Sequence, residues 1–83
     1  MNELGEWVKQ VRTQNKITQR ELAEKLGMKK PQQIANIERG VATFPARYVK
    51  RFCQATGQQI SELVNMITQQ YRRQLAERIE RSE

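Results

Sequence analysis

The stretch Thr18–Gly40, TQRELAEKLGMKKPQQIANIERG, leaves this chain few choices of fold. Thr18 followed three residues later by Glu21 is a capping-box signature, so a helix is predicted to begin at Thr18. Leu22, Ala23 and Leu26 then share one face, and Gly27 supplies the stop. A second helix is predicted to open at Pro31, because the N–H that proline lacks would be unpaired in the first helical turn anyway. Lys30 precedes that proline, is biased away from helical geometry by it, and is expected to act as the N-cap. Ile34 and Ile37 form the buried stripe of this second helix, and Gly40 suits a left-handed cap. The remaining segments read as support for this pair.

Leu4, Val8 and Val11 recur at helical spacing and predict a first helix from about Asn2 to Asn15. Trp7 flanks that stripe and is expected to be half-buried against the bundle or the last helix. Asn15-Lys16-Ile17 is a tight polar link with one apolar plug. After Gly40 the run VATF is irregular, and Pro45 is predicted to start a fourth helix that ends at Gly57, with Val49, Phe52, Cys53 and Thr56 inward and Tyr48 at the margin. A fifth helix carries Ile60, Leu63, Val64 and Ile67 towards the bundle and, with no proline or glycine to interrupt it, runs to about Arg81. The links are short, as in a compact helical bundle.

Eighty-three residues make one small globular unit, expected over 1–68, with a helical extension over 69–83. Fifteen Lys and Arg against nine acidic residues give a net charge of +6. Eleven of those cations and six of the glutamates lie in 1–68, so the excess sits on the globular part and points to a polyanion, nucleic acid first. With no His, no Asp and no glycine-rich phosphate loop, the usual general-base, triad and metal constellations are missing. The chain is therefore read as a binding protein, not an enzyme, with no metal and no cofactor. Its one cysteine, Cys53, cannot form an internal disulfide, which fits a reducing cytoplasm, and its place on an apolar stripe suits a small buried hydrophobe better than a reactive thiol. No run is long enough to span a membrane, and the N-terminus reads as neither signal nor transit peptide.

Helix, short glycine-containing turn, helix is the arrangement in which the second helix enters the DNA major groove. Gln32 and Gln33 occupy the first turn of that second helix, and Asn36 lies one turn on, within about 60° of both around the axis. A carboxamide offers one donor and one acceptor, which matches adenine N6 and N7. On an isolated helix three such residues would be an ordinary solvent face; within this motif they read as base contacts. Lys30 opposes the positive end of the helix dipole, a conflict that a phosphate beside it would resolve. Lys29 and Arg39 flank the same surface, and Thr43 and Arg47 extend it towards the next phosphates.

The ordered pieces LGEWVKQVR, ITQRELAEKLGM, QIANIERG and ISELV resemble the Cro/CI-type helix-turn-helix repressors, the XRE family, over roughly Leu4 to Val64. Against that family's spacing, Met28-Lys29-Lys30-Pro31 carries a one-residue insertion. The resemblance implies an all-α, five-helix, lambda-repressor-like bundle, here with an extended C-terminal helix. It also implies a phosphate contact for Gln19, an ion pair between Arg12 and Glu38, and a bacterial or phage source. The expected activity is sequence-specific binding of a palindromic double-stranded operator by a homodimer, repressing a nearby promoter. Tyr71, Leu75 and Ile79 extend past what a small bundle covers and are expected to form the dimer contact, though a frayed tail would carry the same residues. The alternatives are an antitoxin whose last helix binds a toxin partner, and a protein-interaction module on a helix-turn-helix scaffold.

Overall fold

The computed structural model describes residues 3–82 and contains helices α1 (Glu3–Gln14), α2 (Gln19–Leu26), α3 (Gln32–Glu38), α4 (Val49–Thr56) and α5 (Ile60–Arg81), with a 3-10 turn at Ala46–Tyr48 before α4. The architecture is the expected all-α, five-helix bundle with a long last helix. Glu3 and Glu6 in the first turn of α1, and Arg12 in its last, complement the helix dipole. Residue Asn2, which the predicted first helix included, lies outside the described residues.

The start of α2 is local chemistry. Thr18 is extended, its hydroxyl accepts the Glu21 N–H at 3.0 Å, and the Glu21 carboxylate accepts the Thr18 N–H at 2.8 Å. Hydrogen bonding from Thr18 to the carboxylate, by its backbone N–H first and its hydroxyl second, favours the ionised form and holds Glu21 below its ordinary value of 4.5. Gly27 ends the helix at φ 80°, and the next residue, Met28, turns inward and is buried.

The core is one cluster. Leu4, Val8 and Val11 of α1 meet Leu22 and Leu26 of α2, Ile34 and Ile37 of α3, Phe52 of α4 and Leu63 of α5. Fully buried Phe52 is its centre, with the Phe44 ring edge-on at 5.3 Å and the half-buried Trp7 ring at 5.8 Å. Trp7 also donates from Nε1 to Glu62 at 3.2 Å, fastening α1 to α5. Burying each large side chain of this kind contributes about 1.5–3 kcal/mol. Cys53 is buried as expected; burial first, and nearby Glu62 second, push its thiol up from the ordinary range. At Gly5, α1 crosses the end of α3 so closely that an added Cβ would stand 2.7 Å from the Ile37 carbonyl oxygen.

Four expectations are corrected. Ile60 and Val64 do not join the core; they are 47% and 46% exposed. α5 rests on its Leu63–Gln70 side, and a 100° step per residue carries Ile60 and Val64 round to the face of Tyr71, Leu75 and Ile79. Pro31, not Lys30, stands at the cap of α3, because its carbonyl accepts the first helical N–H, from Ala35 at 3.1 Å, although its own dihedrals are already helical (φ −59°, ψ −24°). The helix proper therefore begins at Gln32, one residue later than expected. Pro45 is extended (ψ 134°) and caps the 3-10 turn, so α4 begins only at Val49.

Candidate nucleic-acid interface

Two elements set the exposed face of α3. Ile34 and Ile37, both essentially fully buried, fix which side of the helix points inward. Arg12 and Glu38 then fix its far end. The Arg12 Nε donates to Glu38 Oε2 at 2.7 Å and its Nη2 to Oε1 at 3.2 Å, while its Nη1 reaches the Ile17 carbonyl at 3.0 Å. The expected ion pair is present, with side chains only 12% and 5% exposed. Gln19 joins it, donating from Nε2 to Glu38 Oε1 at 3.0 Å. Its carboxamide is thus held at the junction of α2 and α3.

The outward residues fall into two groups. In the first, Asn36 Oδ1 accepts from Gln32 Nε2 at 2.9 Å and from Arg39 Nη2 at 3.1 Å, which holds three polar side chains in one row along α3. In the second, Gln33 turns to a cleft of about 360 Å³ that it shares with Gly27, Lys29, Lys30, Arg47 and Tyr48. Three cations from two separate segments line this cleft, and the Arg47 guanidinium lies 5.0 Å over the Tyr48 ring. Arg51 supports the turn from behind by donating to the Leu26 carbonyl at 3.0 Å. Thr43 is exposed on the loop after α3 and belongs to neither group.

Buried Met28 anchors the turn before α3 and leaves Lys29 and Lys30 exposed. Tyr48 was missed as a contributor to this surface; its adjacency to Arg47 was the one available signal. Val41, an exposed apolar residue just beyond α3 at 69%, carried none.

Chemically, the arrangement offers amide edges flanked by point charges. Carboxamides on the first turn of a helix match base edges, and the cationic cleft beside them matches a phosphate run. No group of three potential metal ligands occurs among the described residues, and none of their helices is long and apolar enough to cross a membrane. On α5, Tyr71, Leu75 and Ile79 are 62%, 41% and 63% exposed, so with Ile60 and Val64 they make one apolar stripe along the whole helix.

The sequence model described as helix-turn-helix matches residues 8–63, more than half of the chain. No curated protein matches it.

Proposed function

The chain belongs to the helix-turn-helix family of XRE, or Cro/CI, type, a family of DNA-binding regulators, and from that premise we propose that it is a homodimeric, sequence-specific repressor. The observation that carries this reading is the exposed row on α3 beside the cleft that gathers Lys29, Lys30 and Arg47. Gln32, Gln33 and Asn36 read base edges in the major groove. Gln19, Lys29, Lys30, Arg39, Thr43 and Arg47 bind phosphates on either side and set the register.

The apolar stripe of α5 supports the homodimer. From Ile60 to Ile79 it runs about 28 Å along the helix, long enough for two copies to pair along it. A two-fold axis there would present two α3 helices to half-sites about 34 Å apart, which calls for a palindromic operator. The same stripe would suit a toxin in an antitoxin-type protein, and the mass of the isolated chain in solution separates the two. A dimer supports self-pairing; a monomer favours a different protein partner.

DNA binding itself is tested by its salt dependence. Lys29, Lys30, Arg39 and Arg47 from two protomers would give a slope of log K against log salt of about −7. A slope near zero would refute a DNA interface on this surface.

A further inference from the structure

Packing does not explain one residue on the inner side of α5. Gln70 follows the fully buried Leu63 by two turns, so both point to the bundle. Gln70 keeps only 9% of its exposure, yet neither its Oε1 nor its Nε2 has a hydrogen-bond partner. An unpaired buried carboxamide destabilises a fold, and a leucine would fill the same place without that penalty. Such a group calls for a reason beyond stability.

Gln70 lines a cleft of about 320 Å³ where the first turn of α1, the Arg39–Gly40 corner and the middle of α5 meet. Leu4 and Met66 give it an apolar wall. Arg39 and Arg73 are balanced by Glu3 and Glu77, so the lining favours no net charge in an occupant. The volume is at the lower end for small-molecule sites, enough for one ring system with small substituents. A carboxamide presents a donor beside an acceptor, and guanidinium planes stack on flat rings. We propose that this cleft binds a small, uncharged, planar heterocycle of nucleobase type, paired edge-on with the Gln70 carboxamide. The Gln70 Oε1 and Nε2 are closed off from solvent as the cleft stands, and the exposed Arg73–Glu3 bridge, 3.3 Å long, is the contact that gives way to open them to the ring.

The site reaches the interface through one residue. Arg39 lines the cleft and also donates to Asn36 Oδ1 at 3.1 Å. A ring stacked on Arg39 draws it away from Asn36 and so alters the readout row. This coupling rests on the DNA-reading role proposed above; the binding of the heterocycle does not.

The test titrates adenine, cytosine, uracil and hypoxanthine separately into the full chain labelled with nitrogen-15, without DNA. The Gln70 side-chain amide signal is assigned by its loss in Gln70→Leu. At least one base is expected to shift that signal saturably at millimolar concentration or below, with at least tenfold weaker binding to Gln70→Leu. Unliganded Gln70→Leu should melt higher than the parent; Gln70→Met serves the same purpose if the leucine variant does not fold. No shift with any base, undiminished binding to the variants, or a lower melting temperature in both would overturn the proposal. Base binding in a chain that fails to bind DNA would leave this site standing and refute the DNA role, whereas DNA binding with no response to any base would refute this site alone.

Discussion

Arg12 on α1 and Glu38 at the end of α3 meet at 2.7 Å, with Gln19 from α2 on the second carboxylate oxygen, so one glutamate ties three helices together. Both partners are largely withdrawn from water, which makes removal of one costly. Glu38→Ala should destabilise the DNA-free protein by about 3–5 kcal/mol, because Arg12 is left buried without a counter-charge. Urea unfolding checks this. Gln19→Ala, which removes only a neutral donor, should cost about 1 kcal/mol. Equal and small losses would mean that the junction does not hold α3 in place.

The capping box makes a pH prediction. The Thr18 bonds lower the folded value of Glu21 from 4.5, so its contribution to stability is full above that ordinary value and is lost as pH falls through the lowered one. Glu21→Ala should therefore lower stability at neutral pH and reduce the loss seen on acidification below about 4.5. Melting curves of both proteins between neutral and strongly acidic pH check the sign. A difference between the two proteins that does not shrink in acid would contradict it.

Lys30 stands exposed just before the α3 cap and faces the cationic cleft. Lys30→Ala should weaken binding to every DNA sequence alike and flatten the salt slope by about one. Stability should hold or rise slightly, since an unfavourable charge leaves the helix N-terminus. Anisotropy titrations on unrelated duplexes at several salt concentrations measure it. A selective loss on one sequence with an unchanged slope would make Lys30 a base contact instead.

The stripe on α5 predicts the effect of charge placed within it. Tyr71→Asp combined with Leu75→Asp should leave the fold intact, because both side chains are exposed, and should convert the proposed dimer to a monomer. Sedimentation of parent and variant reads the mass directly. A parent that is already monomeric would remove the homodimer from the account.

What could be read in advance divides along physical lines. Thr18, Glu21, Gly27, Gly40 and Gly57 were legible because a cap is decided by one or two neighbouring residues, and the three glycines all adopt positive φ. The inward stripes of α1, α2 and α3 were legible because short amphipathic helices have one apolar side. α5 was not, because Ile60, Leu63, Val64 and Ile67 are spaced as a core stripe while distant contacts of Leu63 and Gln70 decide how the helix rolls. Met28 and Phe44 entered the core from connecting segments, where no periodicity announces burial. At the site, the residue types on α3 were visible in sequence order. The meeting of Lys29 and Lys30 with Arg47, seventeen residues after Lys30, was created by folding.

The central claim is that the exposed face of α3 reads DNA sequence. Selection from a random duplex pool, followed by titration of the recovered consensus with the parent and with Gln33→Ala, tests it most directly. The account predicts a two-fold symmetric consensus with half-sites one helical turn apart. It also predicts a loss of about 1–3 kcal/mol for Gln33→Ala, confined to one base pair in each half-site, with non-specific binding unchanged. The same signature from Gln32→Ala in its place would move the register by one residue and keep the claim. A pool that yields no consensus, or alanine variants of Gln32, Gln33 and Asn36 that leave sequence preference untouched, would contradict it.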